Sequence, residues 1–315
     1  MPVPQAREAR RARYEPTNLE KSIRLRAFAK LNLGLKLLAK RPDGFHEIRT
    51  IYQTIALHDR LEISLCKAGE GVRVECDNPE IPAGGENLVY GACDLWQRAT
   101  GFQGGVRARL KKMIPTGSGL GGASSDAAAT LEGLERLTGE KLPLQRRFSL
   151  AAELGSDVPL FLLGGRVLGC GRGEEVYPLP DLPPRKCLVV FPGFPISTTE
   201  AYREAGSRLT SQGEPRSIKD VGAWPQFPLL HWGPAENDFE RVVFARWPEL
   251  ARLKRLLIRA GAEIASLTGS GSAVYSIFES TRPLLHASKL IPKGWLKFRS
   301  RTLSRADYRR LLCAG

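Results

Sequence analysis

Pro115-Thr-Gly-Ser-Gly-Leu-Gly-Gly-Ala-Ser-Ser125 decides how the chain is read, because with Asp126 it runs straight into a helical pattern that begins at Ala127. Gly117, Gly119, Gly121 and Gly122 allow backbone conformations and close approaches that side chains forbid. Ser124, Ser125 and Asp126 are the expected N-cap candidates. Leu131, Leu134 and Leu137 then recur at helical spacing. A helix N-terminus presents unpaired N–H groups and a partial positive charge, so a glycine loop opening a helix makes a natural phosphate cradle. The same residues also fit a mobile glycine turn that binds nothing. No Gly-Lys-Ser/Thr follows at Walker A spacing, and the acidic residue and βαβ frame of a dinucleotide fingerprint are missing.

On either side of this loop, strand and helix patterns are mixed without regular alternation. Residues 23–35, 48–55, 59–65, 72–76 and 105–113 read as strands, with a turn at Arg41-Pro-Asp-Gly44. Asn87 caps an expected helix that Gly101 closes. A second helix, 144–154, ends at Gly155. Four prolines within 178–184 suggest a linker. Beyond it, 187–191 reads as a strand and 248–260 as a helix. The turn Thr268-Gly-Ser-Gly-Ser272 leads into a strand over 273–278. This order favours an α+β fold. The expected units are a basic, disordered arm over 1–20, an N-terminal domain over 21–180 and a C-terminal domain over 181–315.

A length of 315 residues suits two domains. No apolar run approaches the ~18–20 residues of a membrane span. The net charge of +14 raises nucleic acid or an anionic surface as partners. Residues 1–30 hold 8 Lys and Arg against 3 Asp and Glu, and residues 281–315 hold 9 against 1. The 250 residues between them carry only +1. The first 14 residues are Arg-rich but lack an apolar core, which speaks against a secretory signal. The six cysteines form no C-x-x-C pair and share no zinc spacing with the four histidines. They read as the reduced thiols of a cytoplasmic protein.

The glycine loop resembles the phosphate-binding motif of the GHMP kinases (galactokinase, homoserine, mevalonate and phosphomevalonate kinases). Ala27-Phe-Ala-Lys-Leu-Asn-Leu-Gly-Leu35 and Leu267-Thr-Gly-Ser-Gly-Ser-Ala-Val274 resemble two further motifs, in the right order. The resemblance implies two domains, the first like domain 2 of ribosomal protein S5 and the second ferredoxin-like. Arg41-Pro-Asp-Gly-Phe-His46 and Thr50-Ile-Tyr-Gln-Thr-Ile-Ala-Leu-His-Asp59 are similar to one branch of these kinases. That branch phosphorylates the 2-hydroxyl of 4-diphosphocytidyl-2-C-methyl-D-erythritol in the non-mevalonate isoprenoid precursor pathway. The runs 154–161 and 191–202 match it too.

The resemblance implies ATP as donor and Mg²⁺ as its companion, with no ligand assigned to the metal. Asp157 matches the base and Lys30 the assisting lysine; alone, Asp157 also reads as a turn or capping residue. Asn32 lies on the strand face of Lys30 and is implied to position substrate. Phe45 and Tyr202 match the aromatic pair that sandwiches cytosine, a contact worth ~1–3 kcal/mol. His46 matches the residue that reads the cytosine edge, and Thr198 a substrate-contacting threonine. For ATP, the implied residues are Asn87 and the loop Pro115, Thr116, Gly117, Ser118, Gly119, Leu120, Gly121, Gly122, Ala123, Ser124 and Ser125. Thr268 and Gly269 are implied to bind substrate, near the ATP phosphates or the substrate diphosphate. Ala123 stands where the family commonly has glycine. The implied partner is the small-molecule substrate, without a membrane or nucleic acid, for a monomer or homodimer. The nearest alternative is another GHMP kinase of homoserine or mevalonate type, against which the Asp-Gly-Phe-His stretch and Tyr202 argue. A nucleic-acid-binding protein is the remote one, since no helix-turn-helix or RNA-binding aromatic motif is evident.

Overall fold

The computed structural model describes residues 21–210, 232 and 235–314. The expected basic arm over 1–20 lies outside them. Two sheets organise the chain. The first begins with β1 (Ser22–Lys40) and β2 (His46–Cys66), a long antiparallel hairpin closed by the Arg41–Gly44 turn. Residues 48–55 and 59–65, expected as separate strands, are one continuous strand. The pairing absorbs its irregularities as register shifts near Phe28, Asn32 and Leu37, so the chain bends without breaking.

β3 (Val72–Cys76), β4 (Gly105–Lys111), β5 (Arg166–Cys170) and β6 (Glu175–Pro178) complete this sheet in the order β3-β4-β2-β5-β6, with β1 on β2. Helices α1 (Leu88–Thr100), α2 (Gly122–Thr138), α3 (Leu144–Leu154) and α4 (Val158–Leu163) belong to the same part of the chain. Leu25, Leu61 and Ile63 of the sheet share one core with Ala127, Leu131 and Leu134 of α2. Each such buried leucine or isoleucine contributes ~1.5–3 kcal/mol. A Cβ on Gly133 would lie 2.6 Å from Leu25 Cδ1 and 2.8 Å from Ile63 Cδ1, so glycine is what lets α2 lie this close.

The second sheet is antiparallel, in the order β10-β7-β9-β8, from β7 (Lys186–Phe191), β8 (Ile264–Leu267), β9 (Val274–Phe278) and β10 (Leu296–Arg301). Helices α5 (Thr198–Thr210), α6 (Glu240–Arg246), α7 (Pro248–Arg259) and α8 (Thr281–Leu290) supply its core partners. A third core joins the sheets: Leu31, Leu33, Ile51 and Ile55 meet Val189, Tyr275 and Ile277. The last helix, α9 (Arg305–Leu312), buries Tyr308 and Leu312 in the core of the first sheet. No helix among the described residues is long and apolar enough to cross a membrane.

Candidate active site

The glycine loop bridges β4 and α2, and both of its ends are tied to one point. The Asp59 carboxylate accepts N–H bonds from Met113 at 2.5 Å and Ile114 at 2.8 Å. It also pairs with the Lys112 ammonium, which reaches Asp126 Oδ2 at 2.7 Å on the first turns of α2. Asp59 and Asp126 are buried. Burial and the neighbouring Asp59 push the Asp126 carboxyl up to about 8 against the pull of Lys112.

Neither Ser124, Ser125 nor Asp126 caps α2, contrary to expectation. Gly121, at φ 73°, turns the chain one residue ahead of Gly122, so those three fall inside the helix. The first N–H groups of α2 therefore keep no side-chain cap, as a site open to an anion requires. A Cβ on Gly119 would sit 2.1 Å from the Thr268 carbonyl oxygen. The loop and the Thr268–Ser272 turn are thus in direct contact. Ala273 N donates to Ser118 O at 3.1 Å, and Thr268 Oγ1 to Gly119 O at 3.1 Å.

Strand periodicity places Lys30 and Asn32 on one face, with Tyr52 directly opposite Asn32 on β2. All three are buried. Lys30 Nζ donates to Asn32 Oδ1 at 2.7 Å and meets Asp157 Oδ2 at 3.2 Å. Asn32 Oδ1 also accepts from Gly269 N at 2.8 Å, while its Nδ2 donates to Thr50 Oγ1 at 2.7 Å. Asp157 occupies the N-cap position of α4, yet its side chain makes no capping bond. Its Oδ1 accepts from the Tyr52 hydroxyl at 3.0 Å. Burial, and then Asp157, raise the Tyr52 phenol well above its ordinary value, so it remains a donor.

This cluster lines a cavity of about 650 Å³ that Gly119, Gly121, Ser124 and Gly269 also border. Further along the cavity the lining becomes aromatic. The His46 and Tyr202 rings stack at 5.5 Å, and Tyr202 meets Phe239 edge-on at 4.7 Å. Phe45 lies 53 % exposed, with the Arg172 guanidinium 4.9 Å above its ring. The ring against Tyr202 is therefore His46, and Phe45 stands at the rim. Burial, then Lys40, hold His46 below its usual pKa. A Cβ on Gly206 would come within 2.2 Å of His46 Nε2. Thr198 Oγ1 lies 3.0 Å from Ser270 Oγ.

Lys30, Asn32, Phe45, His46, Asp157, Thr198, Tyr202 and Gly269 all line this one cavity. Thr268 sits directly behind it through its bonds to Asn32 and Gly119. Asn87 does not line it. Its Oδ1 caps α1 through Val89 N at 2.9 Å, and its Nδ2 donates to Pro82 O at 2.8 Å. Sequence reasoning missed Tyr52, Arg172, Ser270 and the Asp59–Lys112–Asp126 cluster. Alternation along β2 could have paired Tyr52 with Lys30, but nothing local announces Arg172.

Among the described residues, no group of three or more His, Cys, Asp or Glu could hold a metal alone. The cavity offers Asp157 and Ser124, and the buried Ser125 Oγ behind them has no partner. Such a sparse oxygen set suits Mg²⁺, which keeps waters and takes most other ligands from phosphates.

The GHMP kinase N-terminal domain matches residues 87–165, and the GHMP kinase C-terminal domain matches residues 229–287. A 4-diphosphocytidyl-2-C-methyl-D-erythritol kinase of Solibacter usitatus is 44% identical, over 91% of this chain and 90% of that protein. The chain belongs to the 4-diphosphocytidyl-2-C-methyl-D-erythritol kinase family. A second member of that family, from Pelotomaculum thermopropionicum, is 41% identical over 80% of this chain and 87% of its own length. A crystal structure of 4-(cytidine 5'-diphospho)-2C-methyl-D-erythritol kinase superposes with a TM-score of 0.70 at 32% identity, covering 89% of this chain and 99% of that one. A Leishmania major mevalonate kinase, at 15% identity and a TM-score of 0.66 over 92% of this chain and 98% of that one, shares the fold. The protein is an ATP-dependent small-molecule kinase of the GHMP type.

Proposed function

We propose that the protein transfers the γ-phosphoryl group of ATP to the tertiary 2-hydroxyl of 4-diphosphocytidyl-2-C-methyl-D-erythritol. The observation that carries this reading is the Lys30–Asp157 pair, set between the glycine loop and the aromatic end of one cavity. A tertiary alcohol is a hindered, weak nucleophile, so it needs a base and a fixed approach to the γ-phosphorus.

Asp157 takes the hydroxyl proton as the oxygen bonds to the γ-phosphorus. The bond from that phosphorus to the β–γ bridging oxygen breaks, and ADP leaves. Lys30, held by Asn32 and Asp157, faces the negative charge that gathers on the transferring group. Tyr52 keeps Asp157 aimed. The N–H groups of α2 and the glycine backbone from Pro115 to Ser125 receive the ATP phosphates. Ser124 of the loop would help hold Mg²⁺, which would supply further charge neutralisation on the phosphate oxygens.

At the other end, Tyr202 and Phe45 offer faces to the cytosine ring and neutral His46 offers its edge, with Thr198 beside them. Lys40, Arg172 and Arg203, which line the same end, suit the substrate diphosphate. Asn87 is assigned to the adenine side by the resemblance alone, since its side chain caps α1. We assign ATP to the N-terminal unit over 21–180 and the substrate side to the C-terminal unit over 181–315, whose last helix α9 packs back into the core of the first sheet. Six free cysteines support a cytoplasmic setting, for either a monomer or a homodimer.

A coupled assay of ADP release tests the reading. Turnover with the cytidyl substrate, and none with mevalonate or homoserine, is expected. Turnover of either rival without the cytidyl compound would overturn it.

A further inference from the structure

The near balance of charge between residues 31 and 280 conceals a local excess, to which the basic segment after residue 280 adds Arg299 and Arg301. On β2, Asp59 is buried while His58 and Arg60 on either side are more exposed. After β4, Lys112 is buried toward Asp59 while Lys111 and Met113 are exposed. Alternation therefore sends Asp59 and Lys112 to the root of the phosphate loop and their neighbours to the opposite face. Those neighbours form one wall of a groove of about 720 Å³, away from the catalytic cavity. Residues of β7, α8 and β10 form the other wall.

Five cations line this groove: Arg60, Lys111, Lys186, Arg299 and Arg301; no carboxylate does. Arg60 lies directly opposite Lys111 across the β2–β4 pair, and Lys186 lies directly opposite Arg301 across β7–β10. Like charges in register weaken a sheet, so folding alone gives no reason for two such pairs on one groove. Asp307 answers Arg301 at 3.1 Å. Among the described residues, the other four cations make no ion pair. His58 also lines the groove, and its imidazole is held below the usual value chiefly by burial, with Arg26 and Arg60 acting in the same direction. The groove is also greasy. Met113 is 48 % exposed and Leu285 39 % exposed, with Leu57 and Leu284 beneath them.

We propose that this groove is a second anion site, taking an organic diphosphate with a hydrocarbon tail. The phosphoryl oxygens neutralise the two like-charged pairs, and the tail covers Met113 and Leu285. Cations alone would suit any polyanion, whereas the apolar wall selects an amphiphile. Because Lys111 and Met113 flank Lys112, an occupant sits one residue from the anchor of the phosphate loop.

Isothermal titration calorimetry on the full chain tests this, with the catalytic cavity filled by the cytidyl substrate and a non-hydrolysable ATP analogue. Geranyl diphosphate should bind at one site per chain, about tenfold or more tighter than inorganic pyrophosphate, and geraniol should give no heat. Arg60→Glu with Arg299→Glu should weaken geranyl diphosphate about tenfold or more, with kcat within about twofold of the parent. If that pair folds poorly, Arg60→Gln with Arg299→Gln gives the same readout in the same direction. The proposal fails if no binding survives filling of the catalytic cavity, if geraniol binds as well, or if both double variants bind normally. It also fails if a single-stranded RNA displaces the diphosphate with a steep salt dependence, which would assign the groove to nucleic acid.

Discussion

The Tyr52 hydroxyl donates to Asp157 Oδ1 at 3.0 Å, across 105 residues of sequence, and leaves Oδ2 to Lys30. The carboxylate is held from two sides, by a neutral donor and a cation. Asp157→Ala and Lys30→Ala should each lower kcat about 10²–10⁴-fold, the range for acid–base groups. Tyr52→Phe should cost about tenfold, the scale of one hydrogen bond to a charged group, with KM for ATP little changed. Single-turnover kinetics checks all three. A Tyr52→Phe enzyme at the parental rate would mean that Asp157 needs no such brace.

His46 links substrate binding to pH. Burial and Lys40 depress its pKa, so the neutral ring persists below its ordinary titration range. Protonation then charges a ring stacked on Tyr202. KM for the cytidyl substrate should rise as pH falls below about 6, and His46→Gln should flatten that rise. The linkage to stability has the same sign. Below pH ~6.5 the unfolded chain binds more protons than the native one, so stability falls as pH falls. A pH profile of KM beside thermal melts tests both halves.

The buried cluster beneath the glycine loop reverses that sign. Asp126 has a folded pKa of about 8, above its unfolded value, so the native state holds a proton that the unfolded chain releases. The stability contributed by that proton is present below pH ~4 and is lost as pH rises toward 8. Asp126→Asn should therefore raise Tm more at pH 8 than at pH 5. Lys112→Met, which leaves the buried Asp59–Asp126 pair without its cation, should destabilise by about 3–5 kcal/mol. Thermal melts at the two pH values decide the matter. An equal shift for Asp126→Asn at both would remove the buried proton from the account.

Phe45 stands at the cavity rim, under Arg172. Phe45→Ala should raise KM for the cytidyl substrate by about 5- to 160-fold, as the loss of ~1–3 kcal/mol in stacking implies, with a smaller change in kcat. Steady-state kinetics with the cytidyl substrate varied gives the split. A change confined to kcat would place Phe45 outside base recognition.

Much of this was legible in the chain because it is local. The glycine run, the capped helix after Asn87 and the strand alternation around Lys30 each declare themselves within a dozen residues. The continuity of β2 was not legible, because Ala56-Leu57-His58 looks like an interruption until β1 pairs on both sides of it, at His58 and at Thr54, with the register shift between them. The start of α2 was misread for a related reason. Ser124, Ser125 and Asp126 are good capping residues, but the left-handed Gly121 turns the chain first. Arg172 reaches Phe45 from a β-turn more than a hundred residues away, and such long-range contacts leave no periodic trace. The near neutrality of residues 31–280 also hid placement: Arg60 lines the cationic groove, and Glu62 two residues on does not.

Asn32 Oδ1 accepts at once from Lys30 Nζ in the first half of the chain and from Gly269 N in the second. A fragment ending at residue 180 would therefore keep the base, the lysine and the whole glycine loop, yet lose the backbone donor that fixes the lysine's own anchor. Complementation from two separately expressed halves would have to rebuild that one three-way junction before any phosphate moved. The catalytic lysine is in this sense a sensor of whether the molecule is whole.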